Sequence, residues 1–180
     1  MDYQDFDYNI KILSVGEYGV GKTSLLFCFN DDNFPNCNHP TIGTEYKMKL
    51  LDFENKIIRV ELLDIEAGDI YAYKNPVTKY FKGVHGILIV YDISEKYTFN
   101  EIDHWINQIR TKASPDVRLI LVGSKYDKIE RKVKEEEGKK KADELGIKYF
   151  ETSAKTGYNV KDAYNFLIKD IIDNHKNFKI

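Results

Sequence analysis

The sequence predicts a doubly wound α/β fold: a six-stranded, mostly parallel sheet with one antiparallel edge strand and helices on both faces. Three observations carry that expectation. Continuous apolar runs bounded by turn signals recur along the chain, as in strands buried on both sheet faces. Segments with helical spacing alternate with them. Two further strand-like segments flank a short turn, so one pair is a hairpin and antiparallel.

The elements follow in order. NIKILSV (9–15) is the first apolar run and stops at a glycine loop. TSLLFCFN (23–30) starts a helix, which gives way to DDNFPNCNHPTIG (31–43), a loop rich in Asn, Asp and Pro. That loop is long enough to be functional rather than a mere connection. EYKMKLLDF (45–53) and KIIRVELLD (56–64) flank a turn at Glu54–Asn55. GILIVYD (86–92) and VRLILVGS (117–124) are the buried central strands. Between them Phe99, Ile102, Ile106 and Ile109 keep helical spacing, with Trp105 beside them. KVKEEEGKKKADEL (132–145) is a solvated helix, IKYFETSA (147–154) a last strand and loop. VKDAYNFLIKDIID (160–173) repeats the helical pattern through Ala163, Phe166, Leu167, Asp170 and Ile171.

A chain of 180 residues suits one domain, 1–180, with a sizeable core. The net charge of −2 gives no basic field for nucleic acid or an anionic membrane. Cys28 and Cys37 have neither metal-ligand spacing nor enough partners for a disulfide framework, which points to a reducing, cytoplasmic setting. The acidic start MDYQDFDYNI has no apolar signal region, and no apolar run approaches the roughly 18 residues that span a bilayer.

GEYGVGKTS (16–24) fits G-x-x-x-x-G-K-[ST] through Gly16, Gly21, Lys22 and Thr23, with a strand before it and a helix after it. Such a loop closes backbone N–H groups around phosphate oxygens at a positive helix end. The phosphate-cradling set is Glu17, Tyr18, Gly19, Val20, Gly21, Lys22, Thr23 and Ser24. Lys22 would bridge β- and γ-phosphates, and Thr23 would bind Mg²⁺. The motif does not choose between ATP and GTP.

VGSKYDK (122–128) supplies that choice. A carboxylate there, Asp127, can accept from both N1–H and the 2-amino group of guanine, a donor pair adenine lacks. A mismatched base leaves the charge unpaired, so discrimination is strong. The Lys125 stem would lie along the base with its charge in solvent. ETSAKTG (151–157) would offer the Ala154 N–H to guanine O6, with Ser153 and Lys155 beside it. An ATP-using kinase fails on Asp127 and this last motif.

Those motifs, in that order, resemble the Ras superfamily of small GTPases and, within it, the Rab family, over nearly the whole chain. TIGTEY (41–46) resembles the Rab first switch, and YFKGVHGILIVYDIS (80–94) with TFNEIDHWI (98–106) the Rab core. SKYD resembles the base-reading NKxD. The resemblance implies a G domain binding GTP/GDP with Mg²⁺ as a molecular switch in vesicle trafficking. It implies that Thr41 closes on Mg²⁺ and the γ-phosphate in the GTP state and that Phe34 lies against the guanine. Asp64 would hold the metal through water, making Thr23, Thr41 and Asp64 the metal set. Gly68 would donate to the γ-phosphate. Lys22, Thr41, Gly68 and Asp69 become the catalytic positions. Effector, exchange-factor and GTPase-activating proteins would dock through Thr41–Tyr46, with Ile42, and the 65–80 loop.

The departures matter as much. The family's D-T-A-G-Q reads D-I-E-A-G-D here. Either Asp64 is the family acid with one residue inserted, or the acid position falls on Ile65. The usual Thr41–Asp64 spacing favours insertion. The water-orienting Gln aligns with Asp69, which only accepts, is shorter and brings negative charge towards the γ-phosphate. Glu66 is the alternative water-positioning residue. Tyr18 stands where a small residue is usual and would crowd an arginine finger. Ser124 replaces Asn and, being shorter, is expected to lose the tie to the phosphate loop and weaken guanine binding. The chain as given ends in NHKNFKI with no cysteine after Cys37, so a membrane association peripheral to endomembranes needs a lipidated tail outside it. Two functions follow: a slow GTPase switch, or a hydrolysis-deficient GTP-binding or interaction module.

Overall fold

The computed structural model describes residues 6–31, 44–65 and 78–174. Within them, the strands are β1 Tyr8–Val15, β2 Thr44–Phe53, β3 Lys56–Ile65, β4 Gly86–Asp92, β5 Arg118–Ser124 and β6 Lys148–Glu151. The helices are α1 Lys22–Asp31, α2 Thr78–Phe81, α3 Lys96–Asn100, α4 Ile102–Lys112, α5 Glu135–Leu145 and α6 Val160–Asn174. One six-stranded sheet runs β2-β3-β1-β4-β5-β6. Only the β2–β3 pair is antiparallel; the other four neighbouring pairs are parallel. The expected architecture is borne out.

The continuous apolar runs are explained by alternation. Ile10 and Ile12 of β1, Leu88 and Val90 of β4, and Ile120 and Val122 of β5 face one core, under α1 and α6. Leu13 and Val15, Ile87 and Ile89, and Leu121 face the other, under α4 and α5. Each residue fully buried this way contributes about 1.5–3 kcal/mol against the entropy of folding. Phe29 of α1 and Tyr164 of α6 stack with centroids 4.1 Å apart.

Local chemistry sets the ends of several elements. Glu54 and Asn55 both take left-handed φ values, 52° and 62°, as a two-residue hairpin turn requires. The last turn of α1 leaves carbonyls without helical partners, and Lys49 of β2 donates to Phe29 O at 2.7 Å and Asn30 O at 3.1 Å. Gly146 ends α5 at φ 67°.

Phe99, Ile102, Trp105, Ile106 and Ile109 pack into one core as their spacing implies, across a division between α3 and α4 at Glu101, φ −80° and ψ −2°. One expectation is corrected. Phe166 and Asp170 do not face the core. Phe166 is exposed beside Phe150, and Asp170 pairs with Arg118 at 2.7 Å, while Tyr164 and Ile168 carry the buried face. Alternate neighbours within a helical turn differ by a whole face, so apolar content alone could not place them.

Candidate functional site

The carboxyl ends of β1, β3, β4 and β5 meet at one edge, where a doubly wound sheet binds ligands. β1 ends at Val15 and the chain turns through three glycines with positive φ: Gly16 at 146°, Gly19 at 74° and Gly21 at 100°. α1 then begins at Lys22, so its N-terminus points out of the loop. Lys22 Nζ donates to Gly16 O at 2.9 Å and Glu17 O at 3.0 Å, folding the ammonium over the loop. Burial pushes its pKa below the ordinary value, against the opposing pull of the Asp64 and Glu17 carboxylates. A largely desolvated cation is poised for an anionic group.

Thr23 follows, and its hydroxyl donates to Asp64 Oδ2. Asp64 is fully buried at the end of β3, paired in register with Ser14 of β1. Ile65 is fully buried too, but among the apolar side chains of the opposite face. The acid beside Thr23 is Asp64. Thr23 and Asp64 set two hard oxygen donors side by side next to a lysine, a donor set that fits Mg²⁺.

Asp127 and its loop approach from the other side. Ser153 Oγ donates to Asp127 Oδ1 at 2.6 Å, so Ser153 orients that carboxylate. The Tyr126 N–H donates to Thr152 O at 3.0 Å and holds the two loops together. A cavity of about 300 Å³ lies between these loops and the glycine loop. Gly19, Gly21 and Ser24 line it on one side, Ser124, Lys125, Asp127, Ala154 and Lys155 on the other.

Two expectations about this site are corrected. The tie from Ser124 to the phosphate loop is kept, not lost. Its hydroxyl stands 2.5 Å from Val20 O and 2.9 Å from Tyr91 O, with one proton to share between them. The loop backbone comes to the short side chain. Ser124→Ala removes that buried donor and is expected to cost about 1 kcal/mol by urea denaturation, with faster nucleotide release. A midpoint equal to wild type would show the tie to be idle.

The Lys125 charge, likewise, is not left to solvent. Its Nζ donates to Gly19 O at 2.6 Å and pairs with Asp92 Oδ2 at 2.7 Å. Asp92 was not among the sequence candidates. It ends β4 and is buried at 2 % exposure. Its Oδ1 accepts from Ser94 N–H at 2.8 Å and Ser94 Oγ at 2.6 Å, while Lys128 Nζ stands 3.5 Å from Oδ2. Burial works to raise the Asp92 carboxyl, but the hydrogen bonds from Lys125 and Ser94 outweigh it and hold the group below its ordinary pKa. An acid closing a buried strand was the available signal, the same one that marked Asp64.

Three loop residues differ from simple phosphate contacts. Glu17 Oε1 accepts from Trp105 Nε1 at 3.1 Å. Val20 is fully buried in the core and serves the loop through its carbonyl. Tyr18 is 59 % exposed, its ring on the surface of the loop. Phe34, Thr41, Ile42, Glu66, Gly68 and Asp69 lie outside the described residues.

A model of the Ras family matches residues 11–173. The chain belongs to the Ras family. Its relatives place it with the Rabs. It is 41 % identical to the Ras-related protein RABE1d of Arabidopsis thaliana, over 93 % of this chain and 77 % of that protein. It is 39 % identical to the Ras-related protein Rab-13 of Mesocricetus auratus, over 93 % of this chain and 82 % of the relative. The Ras-related protein Rab-8B of Dictyostelium discoideum is 39 % identical, over 92 % of this chain and 81 % of its own length. In this Rab, the sheet edge that carries Lys22, Thr23 and Asp64 also carries Asp127.

Proposed function

We propose that this Rab is a guanine-nucleotide switch that binds GTP or GDP with Mg²⁺ and hydrolyses GTP slowly. The observation that supports it most is the shared cavity, where the glycine loop and the Asp127 loop face each other across a space of about 300 Å³. Asp127 reads the base, Ala154 N–H meets guanine O6, and Lys155 borders the base. Phe34 covers its edge. Lys22 and the backbone of residues 17–24 hold the phosphates. Thr23, Thr41 and Asp64 would hold Mg²⁺, which supplies charge neutralisation at the phosphates. Catalysis by the protein is then positioning and charge stabilisation, by Lys22, Thr41 and the Gly68 N–H.

Two features favour a slow reaction. Asp69 cannot donate to the phosphate while accepting from water. Tyr18, exposed on the loop, crowds the approach of an activating arginine, a group that adds about 10³–10⁵ in rate in related switches. The second reading is a binder that does not hydrolyse; Asp69 and the inserted residue favour it. Single-turnover hydrolysis of preloaded GTP separates them. Cleavage within hours supports the slow switch, and GTP intact after a day supports the locked binder. Asp69→Gln is expected to raise the rate about tenfold or more. No increase would move the defect to the insertion or to Tyr18.

Partners of the switch would meet it at Thr41–Tyr46 and the 65–80 loop. Tyr46 is 51 % exposed, and Met48 and Leu50 follow it on the same face of the edge strand. Among the described residues no helix is long and apolar enough to cross a membrane. A cytoplasmic switch, peripheral to endomembranes through a lipidated tail, suits this reading.

A further inference from the structure

We infer that Asp92 sets the lifetime of the bound nucleotide by clamping Lys125, and with it the glycine loop, against the base-reading loop. The inference rests on the guanine-nucleotide reading above. Its two carboxylate oxygens do separate work. Oδ1 accepts from Ser94 N–H and Oγ and so builds the turn after β4. Oδ2 takes Lys125 Nζ at 2.7 Å and Lys128 Nζ at 3.5 Å.

Lys125 holds a left-handed backbone, φ 64°, uncommon for a residue with a side chain. Its ammonium bridges Asp92, on β4, and Gly19 O, in the glycine loop. Lys128 also donates to Ser94 Oγ at 2.8 Å and lines the cavity. Two ammonium groups thus converge on one buried oxygen. Removing its charge leaves them facing each other and frees Lys125 from the side opposite the loop. The glycine loop then loses a fixed strut, and the cavity closing over the base opens more often. Asp92 touches neither base nor phosphate in this scheme; it is a positioning residue.

The test exploits the division of labour between the oxygens. Asp92→Asn keeps an Oδ1 acceptor for Ser94 and replaces Oδ2 with an amide that repels both lysines. Dissociation of a fluorescent GDP analogue is expected to speed up ten- to a hundredfold. The preference for guanine over adenine nucleotide is expected to stay, since Asp127 and Ser153 are unaltered. On a Lys125→Met background, the same Asn change is expected to alter release less than twofold. Release from Asp92→Asn at the wild-type rate would overturn the assignment. So would an effect that simply adds to that of Lys125→Met, or acceleration seen only with Asp92→Ala, where the turn is lost as well. A wild-type chain that holds no guanine nucleotide would instead overturn the switch reading, and this assignment with it.

Discussion

Asp127→Asn is expected to turn the base preference from guanine to xanthine. Ser153 Oγ donates to Asp127 Oδ1 at 2.6 Å and so fixes one acceptor in place. With Asn, that donor selects the carbonyl oxygen and leaves the amide nitrogen at the other position. Guanine then presents its 2-amino group to a donor, and xanthine presents its 2-oxo group. A site built to pair a polar group rejects the wrong partner by about 10⁴-fold, so the order of affinities reverses rather than flattens. Competition between guanosine and xanthosine diphosphates for the purified variant reads this out. An unchanged order would remove Asp127 from the base and leave the cavity without a reader. Ser153→Ala combined with Asp127→Asn should blur the reversal, because the amide is then free to flip.

Gly16→Ala carries the second large effect, and its origin is steric. A Cβ at Gly16 would lie 2.1 Å from the carbonyl oxygen of Val90, with φ at +146°. Val90 is buried in the central strand β4, so its backbone has nowhere to go. The loop must move instead, and Gly16 O is one of the two carbonyls that hold Lys22. The expected cost is on the order of 4 kcal/mol, with nucleotide binding lost. Gly19→Ala is the contrast. Nothing lies within 4 Å of its Cβ, and only its φ of +74° opposes the change, at about 1–2 kcal/mol. Urea midpoints and GDP affinity for the pair measure the difference. Equal midpoints would mean that the loop does not pack against β4 as described.

Much of this architecture was legible because it depends on local rules. Ile87 to Val90 are apolar without a break, and only a strand covered on both faces needs that. The glycine loop declares itself by spacing, and Asp127 by its place after a buried strand. What stayed hidden depends on contacts between distant segments. Ser124 looked too short to reach the phosphate loop, because side-chain length says nothing of how near Val20 O comes. Lys125 looked solvated because Asp92, its partner, belongs to another strand. The break between α3 and α4 has no proline or glycine to announce it. Adjacent strand residues point to opposite faces, so Asp64 meets Thr23 while Ile65 enters the apolar core, a division that the letters D-I do not announce.

The hydrogen bond from Trp105 to Glu17 has an optical consequence. This is the one tryptophan in the chain, set among 13 tyrosines. Its ring is 1 % exposed, and its only polar atom ends on the glycine loop. Light at the red edge of the protein's absorption excites that indole and leaves the tyrosines dark. The emission then comes from one point, whose local field includes the Glu17 carboxylate. The molecule thus carries its own unlabelled gauge, wired to the glycine loop.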